Sequence, residues 1–377
     1  MKFLFITSGS PNGLDDSIYN GLKKIKNISV YDYPYKPLNH ARYDNGKISA
    51  FDLNNKKIYE EDKDGKLKLL GNPEIYGYNA SHWDFTIDSK KPVEAINDLD
   101  SFDWVILGST ASIETANKNI IKKITESKND NLIFLDSDDN PFILLSYLKK
   151  SKLYIKREKL VKQKFSTSMR FLYWKFMKKF YFNPPKYKIP VKNILFRTYA
   201  PQFLLDELIK PINLTIPDHK FKKAEHKIFD ISFIGSITNP SRKSFVEKLQ
   251  LFVKKNGLKA FISTSGKIGW NEYSKIINAS KISLSLPGSG YDTFRYWEIP
   301  YYESALASPQ LPIQINNNFE DMHSAILFKN FKEFEEKTLT TLKTGSWDEI
   351  SKNGKRHFLK YHTTKNRAET LLKYLYE

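Results

Sequence analysis

Two stretches of this 377-residue chain alternate short apolar runs with amphipathic helical runs, and that alternation admits few folds. Parallel strands need a crossover long enough to hold a helix, so such a series builds parallel sheets with helices on both faces. The first series opens with a strand at 2–7, a Gly/Ser/Pro loop, a helix at 14–26 and a strand at 28–31. It resumes with Trp104-Val-Ile-Leu, a helix near 112–127, a strand at 132–135 and a helix after Pro141. The second series places strands at 229–234, 258–263 and 281–286 around helices at 242–256 and 270–279. Between 33 and 90 the period changes, and Asn45-Gly46 and Asp64-Gly65 are hairpin signals, so an antiparallel insertion is predicted there. The expected class is α/β, with two Rossmann-like doubly wound units facing a cleft. We divide the chain into 1–215, 216–355 and a helical tail at 356–377.

Composition narrows the partners. No cysteine is present, which excludes a disulfide scaffold, cysteine-bound zinc, iron–sulfur centres and thiol nucleophiles. The seven histidines are scattered without metal-ligand spacing, so no metal is expected. The opening apolar run at 3–7 is shorter than a signal peptide needs, and the run 142–148 is broken by a serine. A soluble or peripheral cytoplasmic protein is the expectation. The net charge is +18, and eleven positive charges with no Asp or Glu fall between Lys159 and Leu205. There Phe165, Met169, Leu172, Phe176 and Phe180 share one helical stripe, with Lys175, Lys178 and Lys179 opposite. A basic aromatic segment at 159–188 suits an anionic membrane surface, and equally a helix packed inward with a solvated basic back. Charge alone would also allow nucleic acid, which is not the expected partner.

Three loops at the carboxyl ends of predicted strands could carry chemistry. One is Leu284-Ser-Leu-Pro-Gly288-Ser289-Gly290-Tyr-Asp292-Thr293-Phe-Arg295-Tyr-Trp-Glu298, a strand, a glycine loop and a helix. Glycines let backbone amides approach a ligand, a helix N-terminus favours an anion, and Arg295 adds a fork matched to phosphate oxygens. A carboxylate at Glu298 can accept from a ribose diol. Pro300 is expected in the first turn of that helix, which would set Glu303 one turn inside. An ordinary βα turn with a surface Arg–Glu pair reads the same spacing. The second loop is Phe233-Ile-Gly235-Ser236-Ile-Thr-Asn-Pro-Ser241-Arg242-Lys243. Ser241 could cap a helix whose first turn carries Arg242, a cation that the dipole disfavours unless an anion neutralises it. The third is Ile133-Phe-Leu-Asp136-Ser-Asp138-Asp139-Asn140, where crowded carboxylates suit proton abstraction, metal binding or a simple helix cap before Pro141.

With these residues quoted, the chain resembles GT-B glycosyltransferases, and among them the spore-maturation-like and exostosin-like proteins. The string Gly288-Ser-Gly290-Tyr-Asp292-Thr293-Phe-Arg295-Tyr-Trp297-Glu298 carries the resemblance, supported by Asp230-Ile-Ser-Phe-Ile-Gly235-Ser236, Arg242, Tyr154-Ile-Lys-Arg157-Glu158 and His362-Thr-Thr-Lys-Asn-Arg367-Ala. It implies a nucleotide-sugar donor on the second unit, held by Gly235, Ser236, Arg242, Gly288, Ser289, Gly290, Asp292, Thr293 and either Glu298 or Glu303. It implies an acceptor on the first unit, a final helix crossing back to that unit, and no resident cofactor. Arg295 and Arg242, with the glycine-loop amides, would stabilise the leaving diphosphate, and if the reaction inverts Asp138 or Asp139, with Asp136 beside them, would take the acceptor's proton. The acceptor would be a glycan or a lipid-linked molecule at the inner membrane face. Competing readings are a metal-dependent GT-A transferase using Asp136 and Asp138, a basic nucleic-acid-binding protein, and a sugar-binding relative without turnover.

Overall fold

A computed structural model of the chain describes residues 1–6, 13–33, 36–40, 42–52, 54–63, 66–70, 76–79, 99–109, 121–124, 130–139, 142–161, 199–201, 206–216, 224, 226–264 and 268–377. The first unit is built on a six-stranded sheet of β1 (Lys2–Ile6), β2 (Ser29–Tyr33), β8 (Trp104–Gly108), β9 (Leu132–Asp136), β11 (Leu153–Lys156) and β13 (Ile209–Pro211). Its spatial order is β13-β11-β9-β8-β1-β2, with every neighbour parallel. Phe3 to Ile6 are at most 1% exposed on both faces, which is why β1 reads as one unbroken apolar run. Phe3 and Phe5 face Leu14, Ile18 and Leu22 of α1 (Gly13–Lys23), whose four-residue spacing makes one helical stripe. Leu4 and Ile6 pack on the opposite face with Val105, Leu107 and Phe134.

The predicted insertion is an antiparallel sheet of β3 (Arg42–Asp44), β4 (Lys47–Phe51), β5 (Lys57–Glu61), β6 (Lys66–Leu69) and β7 (Tyr76–Asn79). Asn45 and Gly46 turn β3 into β4 with φ of 50° and 78°, the left-handed pair that a tight hairpin of this hand needs. The helix expected after Pro141 is instead a strand, β10 (Phe142–Leu144), followed by one helical turn at Leu145–Leu148. β10 pairs antiparallel with β12 (Tyr199–Pro201), a partner remote in sequence that local periodicity does not reveal. Asp64-Gly65, the helix near 112–127 except its turn at 121–124, and the basic segment beyond Val161 lie outside the described residues. At the head of that segment Lys159 is buried, with Nζ donating to the Ile209 carbonyl at 2.9 Å.

The second sheet has five parallel strands in the order β15-β14-β16-β17-β18: β14 (Phe229–Ile234), β15 (Ala260–Ser263), β16 (Ser280–Leu284), β17 (Ala305–Pro309) and β18 (Ile326–Phe328). Helices α2 (Pro240–Lys255) and α5 (Phe331–Thr344) cover one face through Val246, Leu249, Phe252 and Phe334. Helices α3 (Trp270–Asn278) and α4 (Phe294–Tyr301) cover the other through Tyr273, Ile277, Tyr296 and Trp297. Both units are thus doubly wound α/β sheets.

The tail forms two helices, α6 (Trp347–Tyr361) and α7 (Thr364–Tyr376). Thr363 opens α7 with a capping box, its hydroxyl accepting from the Asn366 amide while the Asn366 side chain accepts from the Thr363 amide. α7 lies on α1 so closely that a Cβ on Gly21 would stand 2.1 Å from the Thr364 carbonyl oxygen. Phe5, Tyr19, Trp297, Phe358 and Leu371 therefore belong to one continuous core spanning both sheets. Arg367 of α7 stacks 4.7 Å over Trp297 and donates to the Leu214 carbonyl, tying both units together. Among the described residues no helix is long and apolar enough to cross a membrane.

Candidate active site at the switch point of the second sheet

The strand order of the second sheet reverses between β14 and β16, and ligands of open α/β sheets bind at the carboxyl ends of such a pair. β14 runs into Gly235-Ser236 and β16 into the loop Ser285–Gly290, so the two loops singled out by sequence meet at one crevice. Arg295, in the first turn of α4, rests on Gly235: a Cβ there would lie 3.2 Å from the guanidinium carbon. The Arg295 Nε is buried and has no hydrogen-bond partner among the described residues. A cation is thus held at a helix N-terminus with donor capacity in reserve.

Arg242 is placed differently from the sequence expectation of a direct ligand. It is 4% exposed, and it donates from Nε to the Pro287 carbonyl at 2.9 Å, from one terminal nitrogen to Ser236 at 2.8 Å and from the other to Leu286 at 2.6 Å. The guanidinium therefore clamps the two loops to each other. Gly288 passes over it where a Cβ would be 3.0 Å from that nitrogen. Burial and the nearby Arg295 charge pull the Arg242 pKa down to about 10, so two crowded cations share the crevice, an arrangement that an anion relieves. The cap of α2 is Asn239, not Ser241; its side chain accepts from the Arg242 amide at 2.8 Å, and Pro240 takes the first helical position. The Asn239 amide also reaches the Gly288 carbonyl at 2.9 Å.

The remaining predicted donor residues divide between crevice and frame. Ser236 and Ser289 are exposed at the crevice, and the Thr293 and Ser285 hydroxyls bond at 3.0 Å behind it. The Gly288 amide turns inward to the Gly290 carbonyl at 2.9 Å. Glu298, one turn inside α4, is 4% exposed and accepts from the Tyr273 hydroxyl at 2.6 Å. Burial and the Glu298 charge push the Tyr273 pKa well up, so its phenol stays a neutral donor. Glu303 is elsewhere. Pro300 falls in the last turn of α4 and not the first, because the helix starts right after Thr293; Glu303 follows the far end at φ 56° and pairs with Lys355 at 2.6 Å. Asp292 is also outside the crevice: its carboxylate accepts from the Leu214 amide at 2.6 Å and from the Trp297 indole at 2.9 Å. Burial, working against Arg157, raises its pKa to about 6.

Across the cleft, Phe294 packs on the N-terminus of α1, where a Cβ on Gly13 would lie 2.5 Å from its ring. The first-unit carboxylates take three different positions. Asp136 is 1% exposed and accepts from the Lys156 ammonium at 2.9 Å, from the Tyr154 hydroxyl and from the Asp138 amide, so it is bound into the core. Asp138 is half-buried and accepts from the Ser109 hydroxyl at 3.2 Å. Asp139 is 43% exposed, pairs with Arg157, and stands 2.8 Å from where a Gly290 Cβ would be. Of the three, Asp139 touches the glycine loop.

Sequence reasoning assigned no role to two groups here. Glu158 accepts from the Asp292 amide at 2.8 Å and lies 2.2 Å from the Gly290 Cβ position. Its place in the string Tyr154-Ile-Lys-Arg157-Glu158, just beyond a buried strand, was the available signal. Asp15 in the first turn of α1 packs its carboxylate on Gly108, and burial together with Asp16 and Asp138 pushes its pKa well up. Among the described residues no three His, Asp or Glu side chains converge as metal ligands.

The second unit and the tail have a recognisable sequence character. Residues 240–373 match the glycosyl transferase-like family profile. That match runs from α2 to α7 and contains Arg242, Gly288–Gly290, Arg295 and Glu298. No curated protein matches the chain. Among solved structures, TarM of S. aureus is 11% identical with a TM-score of 0.49, the alignment covering 100% of this chain and 99% of that one. HepE of Anabaena in complex with UDP-glucose is 11% identical with a TM-score of 0.47, covering 100% and 99%. An alpha-glucosyltransferase in complex with UDP and DNA is 11% identical with a TM-score of 0.47, covering 100% of both chains. Likeness at this level does not bear on chemistry.

Proposed function

We propose that this chain is a GT-B glycosyltransferase, of the spore-maturation-like and exostosin-like kind, that transfers a sugar from a nucleotide sugar. The observation that carries the reading is the Arg295 guanidinium laid on Gly235 at the N-terminus of α4, with its Nε unbonded among the described residues and Arg242 beside it. A diphosphate docked against Gly235 and Gly288–Gly290 would be the anion that those cations lack. Arg295 would then stabilise charge as it develops on the departing diphosphate, while Arg242 keeps both loops in register. Glu298, held by Tyr273, would serve the ribose in preference to Glu303, which pairs with Lys355 beyond the far end of α4. Were the sugar's configuration inverted, Asp139 or Asp138 would take the acceptor hydroxyl's proton. No resident cofactor or metal enters this scheme.

The donor is tested by a thermal-shift panel of UDP, GDP, CMP and ADP sugars. One nucleotide class should raise the melting temperature, since a ligand bound only to the folded state stabilises it, and the shift should persist in EDTA. No shift from any nucleotide would remove the donor site; a shift abolished by EDTA and restored by manganese would favour the metal-dependent reading. A glycan or lipid-linked acceptor at an anionic membrane surface on the cytoplasmic side is part of the proposal, carried by the composition of 159–188. Each Lys or Arg near such a surface contributes about 1 kcal/mol. Replacing Lys175, Lys178 and Lys179 with serine should therefore reduce sedimentation with anionic liposomes, and unchanged sedimentation would refute the membrane role.

A further inference from the structure

We propose that Arg157, contributed by the first unit, is a further anion-binding residue of this site, covered by Asp139 until a diphosphate takes its place. The proposal rests on reading Gly288–Gly290 as a diphosphate cradle. Arg157 directly follows β11, and its backbone is fixed by its N–H donating to the Asp136 carbonyl at 3.0 Å and by its own carbonyl accepting from the Asn213 side chain at 3.1 Å. Its side chain is only 12% exposed and meets two carboxylates, Asp139 in a direct ion pair and Glu158 at 3.6 Å. Both carboxylates crowd Gly290, at 2.8 Å and 2.2 Å from the point where a Cβ would stand. The guanidinium is therefore one carboxylate away from the cradle.

The two carboxylates differ in what holds them. Glu158 is 4% exposed and fixed by the Asp292 amide, so it is part of the frame. Asp139 is 43% exposed and sits where water and ligand arrive. The Nε of Arg157 is buried without a hydrogen-bond partner among the described residues, so its pairing is incomplete. A buried guanidinium closed on its open side by an exposed carboxylate is a site already holding an anion. An incoming diphosphate meets like charge from Asp139, and docking becomes favourable when that carboxylate swings into solvent and leaves Arg157 to the phosphate. The exchange would also detach Asp139 from its cation when the donor is in place.

The test is calorimetric binding of UDP, GDP, ADP and inorganic pyrophosphate to the full chain and its variants, and it reads a sign. Arg157→Gln should weaken diphosphate binding by roughly tenfold, the loss of one charge-assisted contact. Arg157→Lys should recover part of that loss. Asp139→Asn should tighten binding several-fold, because it removes the competing charge while keeping the shape. An ion pair with only a structural role predicts the opposite for Asp139→Asn, namely binding that is unchanged or weaker, and that result overturns the proposal. Should Arg157→Gln fail to fold, the sign for Asp139→Asn decides alone. Arg295→Gln separates the two layers. If it weakens binding while Arg157→Gln and Asp139→Asn bind as wild type, this proposal falls and the cradle stands. If Arg295→Gln binds as wild type, the cradle falls and Arg157 falls with it.

Discussion

Replacing Arg295 with alanine is expected to lower sugar transfer by about 10²-fold or more, the usual effect of removing one preorganised donor from a site where charge develops. The loss should appear mainly in turnover, since diphosphate charge grows as the glycosidic bond breaks. The fold should survive. The Arg295 Nε has no hydrogen-bond partner among the described residues, and the guanidinium lies over Gly235. Arg242→Ala would be a poor substitute for this test, because it strips three loop carbonyls of their donor and releases both loops together. Arg295→Lys keeps the charge and loses the planar fork, so it should fall between wild type and alanine. Steady-state transfer, or donor hydrolysis where no acceptor is known, measures the effect. A folded Arg295→Ala protein with wild-type kinetics would overturn the site.

Replacing Lys156 with methionine is expected to destabilise the first unit by about 3–5 kcal/mol, the range for breaking a buried ion pair from one side. Lys156 and Asp136 are 0% and 1% exposed, and a methionine of similar length leaves the carboxylate with Tyr154 and no cation. Burial already holds the Asp136 pKa above the ordinary carboxylate value, with Lys156 pulling against it. A carboxyl whose folded pKa lies above its unfolded one binds its proton more tightly in the native state. Its contribution is most favourable at low pH and is lost as pH rises through the folded pKa. Losing Lys156 enlarges that term, so the destabilisation in urea should be smaller near pH 5 than near pH 8. A loss below about 1 kcal/mol, or one equal at both pH values, would show that the pair does not hold β9 and β11 together.

The sheets were legible because burial on both faces leaves unbroken apolar runs, as in Phe3 to Ile6, and because Asn45-Gly46 can hardly be anything but a tight turn. Helix ends were less so. Asn239 and Ser241 are both competent caps, and Pro240 at the first helical position chose between them. Pro300 reads as a helix start by local rule; the chain tolerates it in the last turn, where the Tyr302 amide still reaches the Glu298 carbonyl at 2.9 Å. The succession of strand, glycine loop and helix around Arg295 was legible since all three lie in one segment. Arg242 and Asp292 were legible only as charges, because what they bond comes from loops up to 78 residues away in sequence. The pairing of β10 with β12 escaped for the same reason.

The order of strands and helices, the insertion and the presence of an arginine at a glycine-loop helix were determined by local sequence, since each depends on side-chain period or backbone freedom within a few residues. Which guanidinium lies over Gly235 and which clamps two loops together was decided only when β14 and β16 came side by side. The same holds for the carboxylates: Asp136, Asp138 and Asp139 are near-neighbours in sequence, yet one is sealed beside Lys156, one rests on Ser109 and one reaches Gly290. A charge acquires its role from the dielectric and the partners around it, and those are fixed by the meeting of segments that sequence keeps far apart.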